Sequence, residues 1–384
     1  MNTCAYPGEA RPLMRILMTA DASEGVWRYV MELARALRPR EVEILIAVMG
    51  PALSCAQREE AARLGHVGLS EKPFALEWMK DPWREVTSAG DWLLGLEERF
   101  EPQVIHLNHY CHGSLPWSAP VVITAHGCVL SWWQAVHGEQ SPHSWSRYHA
   151  EVAAGLRGAN LVIASTRSML DGLTRLYAPI PRLMQYQNAP RFPAFRTVPH
   201  GRDASLFHSL EKRNEILCVS APGDDAQNLL FFKRMAQDLP WPVYLIGRDD
   251  LEGADGFDSL GILDEPGRAE RMGAAAIFAL PTRYEPFGFS VLEAAISGCA
   301  LVLGNIPCLR ETWGEAAIFA PPDDSQAFQS AIAALIEDNG LREEMAGRAR
   351  ARALAFTPEQ MAESVFDAYR SVIAPRLLAA QEVG

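Results

Sequence analysis

Two glutamates separated by a proline- and glycine-containing loop form the most informative part of the sequence. Glu285 is followed by Pro286, Phe287 and Gly288, and Glu293 comes after seven intervening residues. The apolar run before this loop predicts a buried strand, and the residues after it predict the start of a helix. Backbone N–H groups and the positive end of the helix dipole would then face a ligand above the loop, which suits a phosphate.

Ser290 stands three residues before Glu293, a spacing typical of a helix capping box. On spacing alone, two interpretations are equally open. In the first, Glu293 is only the partner of the cap and Glu285 is a residue of a surface loop. In the second, both carboxylates serve a bound ligand.

Elements that could position this loop recur along the whole chain. Short apolar runs alternate with helical spacing of apolar residues, which is typical of parallel α/β sheets. The predicted strands are 15–20, 43–49, 104–107, 121–124, 161–164, 215–219, 242–246, 274–280 and 300–303, and the clearest predicted helices are 26–37, 229–239, 291–297 and 357–378. The proline-rich stretch 185–206 predicts a hinge between two α/β domains, with a cleft between them.

Composition narrows the class of protein. Acidic residues number 47 and basic residues 35, so the formal net charge is −12, which disfavours nucleic acid as a partner. Seven cysteines without a C-x-x-C pair predict neither a disulfide framework nor a zinc site. No apolar run reaches the ~20 residues of a membrane span, and no signal peptide is visible, so we expect a cytoplasmic protein without a transmembrane segment.

The stretch from Ala279 to Glu311 resembles the signature of retaining glycosyltransferases of family 4, and weaker resemblance extends over nearly the whole chain. The resemblance implies the glycosyltransferase-B fold, with two Rossmann-like domains facing each other across a cleft. Residues 1–195 would form an acceptor domain and residues 196–360 a nucleotide-sugar donor domain. Residues 361–384 would form a helix that crosses back to the first domain.

The same resemblance implies roles for individual residues. Glu285 would lie by the donor sugar, and His126 would lie near the reacting sugar; we take these two as the catalytic residues. Glu293 would accept hydrogen bonds from ribose hydroxyls, and Gly25 would allow close approach of the donor. Backbone groups would face the diphosphate and sugar at Phe287, Gly288, Phe289 and Ser290.

Two positions of the expected diphosphate clamp depart from the family pattern. Where the family has an arginine and a lysine that clamp the diphosphate, this chain has Ala221 and Gln227, whereas Asn228 is retained. Both cations would neutralise charge on the leaving group. We therefore expect Arg248 or Arg283 to take over this role in donor binding.

Aromatic and histidine residues cluster between 106 and 149. Trp132 and Trp133 could stack on sugar rings in an acceptor groove, although core packing is equally compatible with either residue alone. The run His106, His109 and His112 does not match a standard zinc spacing, so we predict no metal. In the turn 199–202 a histidine, His200, stands where the family has an asparagine that can adopt positive φ.

The sequence thus predicts a metal-independent retaining glycosyltransferase that uses no cofactor besides its nucleotide-sugar donor and transfers the sugar to an acceptor hydroxyl. One alternative is a catalytically impaired relative that binds a sugar or a partner, because Ala221 and Gln227 replace the usual cations. A second alternative is a nucleotide-sugar epimerase with the same fold. The sequence predicts neither the donor, the acceptor nor the oligomeric state.

Overall fold

The computed structural model describes residues 14–178, 193–219, 225–247 and 256–381. The chain divides into two compact units. Residues 1–124, 154–162 and 362–384 belong to the first, and residues 125–153 and 163–361 belong to the second. The domain boundaries expected at 195/196 and 360/361 stay predictions, and most of the expected hinge lies outside the described residues.

The first half of the chain builds a seven-stranded sheet with the order β3-β2-β1-β4-β5-β6-β7, in which the pairs among β1 to β5 are parallel. Its strands are β1 (Met14–Asp21), β2 (Val42–Met49), β3 (Val67–Glu71), β4 (Val104–Leu107), β5 (Val121–Ala125), β6 (Leu161–Ala164) and β7 (Ala194–Thr197). The helices in this part are α1 (Glu24–Leu37), α2 (Cys55–Ala62), α3 (Trp83–Phe100), α4 (Val129–His137), α5 (Ser146–Gly158) and α6 (Arg167–Tyr177).

The second half builds a six-stranded parallel sheet with the order β10-β9-β8-β11-β12-β13. Its strands are β8 (Arg213–Val219), β9 (Val243–Ile246), β10 (Asp258–Gly261), β11 (Ala275–Leu280), β12 (Ala300–Gly304) and β13 (Ile318–Ala320). The helices are α7 (Leu229–Ala236), α8 (Glu265–Ala274), α9 (Phe289–Ile296), α10 (Pro307–Trp313), α11 (Ser325–Glu337), α12 (Asn339–Ala353) and α13 (Pro358–Gln381). Among the described helices, none is both long enough and apolar enough to span a bilayer.

All nine strands predicted from the sequence are present, with bounds that shift by at most two residues. They are the central strands, and burial on both faces gives them continuous apolar runs. The four strands that the sequence analysis missed, β3, β7, β10 and β13, are the outer strands of the two sheets. These outer strands are short and largely exposed or half-buried, so they lack such a run.

A buried polar chain links β4 to the last helix within the first unit. The His106 imidazole hydrogen-bonds through Nδ1 to the Tyr369 hydroxyl at 2.5 Å and through Nε2 to the Thr124 hydroxyl at 2.7 Å. Tyr29 hydrogen-bonds to the same threonine at 3.1 Å. Burial lowers the pKa of His106 to about 3, so the folded protein keeps this imidazole neutral.

This buried imidazole predicts that the protein loses stability in mild acid. The pKa of a histidine in the unfolded chain is about 6.5, so below that pH the unfolded state binds a proton that the folded state does not. Between pH 7.5 and pH 5.5, His106 should lower the free energy of unfolding by about 1.4 kcal/mol. Urea unfolding at both pH values measures this difference. His106→Gln should reduce it and His143→Gln, at an exposed position, should not; an unchanged pH dependence in His106→Gln contradicts the prediction.

Candidate functional site

The loop between β11 and α9, residues 281–288, holds the first glutamate of the motif and is fastened to the loop after β8. The Thr282 hydroxyl donates to the carbonyl of Ala226 at 2.9 Å, and the Arg283 N–H donates to the same carbonyl at 2.7 Å. Both loops follow the carboxyl ends of adjacent parallel strands, where ligands of open α/β sheets bind.

Helix α9 begins two residues earlier than the capping-box prediction required. Its N-cap is Gly288, with φ +86°, and the cap has no side-chain hydrogen bond. The glycine adopts this left-handed conformation without the penalty that a Cβ would bring, so Ser290 already lies inside the helix. The predicted box between Ser290 and Glu293 is therefore wrong.

Glu293 is fully buried and lies between two guanidinium groups. Its Oε1 accepts from Arg202 Nε at 2.9 Å, and its Oε2 lies 3.2 Å from Arg268 Nε. Arg202 also pairs with Glu265 and packs its guanidinium 5.0 Å from the ring centroid of Phe207. The carboxylate that the resemblance assigned to ribose is thus the centre of a buried ion network.

Glu285 lies half-buried on a loop that is held from two sides. The Glu285 carboxylate accepts from the Phe287 N–H at 3.4 Å. The neighbouring Tyr284 hydroxyl accepts from the Cys128 N–H at 3.0 Å, and Ser165 donates its hydroxyl hydrogen to the carbonyl of Pro286 at 3.0 Å. Burial raises the pKa of Tyr284 well above its usual value, so the phenol stays protonated.

Four rings gather beside this loop. His126 lies with its ring centroid 5.4 Å from that of His200. His200 in turn lies 4.9 Å from Phe287 and stacks on Phe289 at 5.4 Å with an interplanar angle of 11°. The fold thus brings the predicted catalytic histidine to the same end of β11 as the Glu285 loop.

The turn at 199–202 does not use the backbone conformation that the sequence analysis expected. Neither His200 nor Gly201 is among the described residues with positive φ. Gly201 instead permits close packing, because a Cβ there would lie 2.3 Å from the carbonyl oxygen of Thr357. His200 is buried, and burial lowers its pKa to about 3, so it packs as a neutral ring.

Arg283 lies at the turn 225–227, where the family lysine is missing. Its guanidinium pairs with the Asp323 carboxylate through Nε at 2.9 Å and Nη2 at 2.5 Å, and Nη1 donates to the carbonyl of Asp225 at 3.3 Å. Asn228, with φ 56°, donates from Nδ2 to the carbonyl of Pro322 at 2.6 Å. Loops after β8, β11 and β13 therefore meet around one guanidinium. Ala221 and Arg248 lie outside the described residues.

Three other predicted site residues lie on helices α1 and α4. Gly25 is exposed as the second residue of α1, and a Cβ there would meet no protein atom within 4 Å. Trp132 and Trp133 are half-buried on α4 and pack edge-to-face at 6.3 Å, and Trp133 also lies 4.2 Å from His137.

The three histidines of the 106–112 run point to different partners. His109 Nε2 pairs with the buried Asp21 carboxylate at 3.0 Å, and His112 Nε2 hydrogen-bonds to the carbonyl of Val86 at 3.0 Å. Over the residues that the structure describes, no three His, Cys, Asp or Glu side chains are arranged to hold a metal ion.

The sequence analysis missed several residues that shape the site, namely Arg202, Arg268, Tyr284, Glu311 and Asp323. Glu311 accepts from the N–H groups of Arg167 and Ser168 at 2.6 and 2.8 Å, at the start of α6. For Tyr284 and Glu311, the only indication in the sequence is that both lie within the motif region 279–311. The pairing of the others depends on contacts between distant segments.

Because Glu293 lies in a buried ion network, removing its charge should destabilise the folded protein. Glu293→Gln removes the buried negative charge from between the Arg202 and Arg268 guanidinium groups, while Arg202 keeps its ion pair with Glu265, so the free energy of unfolding should fall by about 3–5 kcal/mol. Glu285→Gln is the matched control, because the same change at a half-buried loop position should cost at most about 1 kcal/mol. Chemical denaturation of both variants measures the difference. Equal stability of the two variants would contradict a structural role for Glu293.

Comparison with known proteins agrees with this geometry. The profile described as Glycosyltransferase Family 4 matches residues 23–183, and that described as Glycosyl transferases group 1 matches residues 258–352. A D-inositol 3-phosphate glycosyltransferase of Kribbella flavida is 31% identical over 418 residues, covering 95% of this chain and 97% of the relative. The O-antigen chain mannosyltransferase B of Escherichia coli is 30% identical over 139 residues, which is 36% of this chain and 35% of that enzyme's length.

Solved structures share the fold at low identity. Sucrose-phosphate synthase from Thermosynechococcus elongatus superposes with a TM-score of 0.75 at 17% identity, covering 94% of this chain and all of that one. Anabaena Alr3699/HepE in complex with UDP-glucose gives a TM-score of 0.71 at 17% identity, covering 93% of this chain and all of that one. The predicted glycosyltransferase-B fold is thereby confirmed. The chain belongs to glycosyltransferase family 4.

Proposed function

We propose that this protein is a retaining glycosyltransferase that transfers a sugar from a nucleotide-sugar donor to an acceptor hydroxyl without a metal ion. The observation that carries the proposal is the loop-to-helix turn at the carboxyl end of β11, which brings Glu285 and the start of α9 together. The names of its relatives, which include a mannosyltransferase and an inositol phosphate glycosyltransferase, support this class of reaction.

In this proposal the donor lies above the β11–α9 turn. Glu285 accepts a hydrogen bond from a hydroxyl of the donor sugar, and His126 lies by the reacting carbon. The backbone between Phe287 and Ser290 faces the diphosphate, whose negative charge the positive end of α9 favours. The complex of Anabaena Alr3699/HepE with UDP-glucose supports a nucleotide sugar as the donor.

The anomeric configuration is retained because the acceptor attacks the donor sugar on the same face from which the leaving group departs. The acceptor oxygen forms the new bond to the anomeric carbon as the bond to the diphosphate breaks. The acceptor proton goes to the departing phosphate oxygen, so no carboxylate nucleophile is needed. Trp132 and Trp133 offer aromatic faces to the acceptor.

The diphosphate needs a cation, and Arg283 is the one we assign. Its guanidinium donates to the carbonyl of Asp225 in the turn 225–227, and this turn also contains Gln227 at the position of the family lysine. Asp323 orients the guanidinium and takes up part of its charge. Arg248 is a second candidate for this role. Asn228 would help by holding the loop that carries Asp323.

Turnover separates this proposal from its alternatives. Purified protein is incubated with UDP-, GDP- and ADP-linked sugars, and release of nucleoside diphosphate is measured with and without a panel of hydroxyl acceptors. A transferase releases the diphosphate and forms a glycoside that retains the anomeric configuration. Binding without turnover identifies the impaired relative, which the loss of the clamp at Gln227 favours. A sugar epimer in place of a glycoside identifies an epimerase.

A charge-specific loss of affinity tests Arg283. Arg283→Gln should weaken binding of the nucleoside diphosphate by about 1–3 kcal/mol, because a charge-assisted hydrogen bond is lost. Binding of the matching nucleoside should stay unchanged, since it carries no phosphate. Calorimetry of both ligands measures the difference, and Arg348→Gln on the exposed face of α12 serves as the control. A diphosphate affinity equal to that of the wild type excludes Arg283 as the clamp.

A further inference from the structure

A cavity of about 650 Å³ opens beside the Glu285 loop, and Glu285 is one of its lining residues. Helices α4 and α6 and the segments 284–286 and 306–308 form most of its walls, and Gln140, Ser141 and His149 complete the lining. All of these belong to the second unit. Its volume falls within the range of about 300–1,000 Å³ that is typical of small-molecule sites.

The walls of this cavity are mostly apolar. Leu130 from α4, Met169 and Leu176 from α6, and Pro286 and Ile306 from the two loops all line it. A sugar hydroxyl group placed against these apolar side chains would lack a hydrogen-bond partner, which is unfavourable. An alkyl chain or another apolar group would instead gain free energy by leaving water.

The polar side chains of the cavity indicate the charge and the hydrogen-bonding groups of a suitable ligand. Glu285 is its carboxylate and Arg175 its guanidinium, so among the described lining residues the formal charges cancel. Further hydrogen-bonding side chains come from Ser131, Gln134, Gln140, Ser141, His149 and Ser168. This composition favours a neutral ligand that has hydroxyl groups as well as an apolar part.

The space between α4 and α6 depends on a glycine. A Cβ at Gly172 would lie 3.9 Å from Ser131 Oγ on α4 and 3.8 Å from Arg175 Nη2, which are ordinary contact distances. Gly172 is within α6 and has no positive φ, so a larger residue can replace it without backbone strain. Any side chain longer than alanine at this position must extend into the cavity.

We propose that this cavity binds the apolar part of an amphiphilic acceptor, such as a glycoside or alcohol with an alkyl chain, and presents the hydroxyl group of that acceptor at Glu285. The inference rests on the proposed function, because it places the acceptor hydroxyl next to the residue assigned to the donor sugar. It adds the chemical class of the acceptor and the surface that selects it.

Octyl β-glucoside, kept below its micelle concentration, is the probe, and glucose is its counterpart without the alkyl chain. Calorimetry should give at least tenfold tighter binding of octyl β-glucoside than of glucose to the wild-type chain. Gly172→Leu fills the cavity and should remove this preference. Gly347→Leu is the matched control, because Gly347 is also helical and exposed, a Cβ there meets no atom within 4 Å, and it lies on α12. It should keep the preference.

Nucleoside diphosphate binding, measured on the same samples, separates the two levels of the proposal. If Gly172→Leu binds the diphosphate like the wild type and loses the preference for octyl β-glucoside, the inference stands. If the wild type binds the diphosphate but does not prefer octyl β-glucoside, or if Gly172→Leu keeps the preference, the cavity inference is wrong and the transferase proposal survives. If the wild type binds no nucleoside diphosphate, the proposed function fails.

Discussion

The buried carboxylate of Glu293 is the constraint on which the second sheet's site depends. A charge with no solvent exposure is tolerated only with partners, and here Arg202 and Arg268 supply them. One arginine comes from the turn at 199–202 and the other from α8, so α9 is tied to both. The same turn carries His200, whose ring stacks on Phe289 at the start of α9. The ion network therefore ties α9 to the turn whose His200 ring contacts the predicted catalytic histidine, His126.

A second constraint comes from backbone and side-chain hydrogen bonds among the loops at the carboxyl ends of β8, β11 and β13. The carbonyl of Ala226 accepts from both Thr282 and Arg283, so the β8 and β11 loops hold each other. The Arg283 guanidinium then reaches Asp323, on the loop after β13. A cation can thus stand near the turn 225–227 although the residue in the turn itself is Gln227. The positive charge comes from Arg283 on the loop after β11, because the sheet brings this loop next to the turn that follows β8.

The central strands and the main helices could be predicted because burial on both faces leaves uninterrupted apolar runs in the sequence. Outer strands such as β10, Asp258–Gly261, have no such run, since solvent covers part of their surface. The start of α9 was misplaced because a glycine with positive φ competed with the serine cap. Ion pairs such as Arg202 with Glu293, 91 residues apart, follow only from tertiary packing. The motif predicts where the candidate site lies, whereas the charges around Glu293 and Arg283 depend on residues outside the motif.

The contact of Glu311 with α6 affects whether an anion from solution can bind at the start of this helix. The N–H groups of Arg167 and Ser168 donate to the Glu311 carboxylate, and the N–H of Met169 donates to the Thr166 hydroxyl. The positive end of this helix therefore already has an anion, and that anion is covalently part of the chain. A phosphate from solution would have to displace the Glu311 carboxylate. The effective concentration of this carboxylate stays constant because it belongs to the same chain. The Glu311 carboxylate therefore occupies a helix end at which a phosphate from solution could otherwise bind.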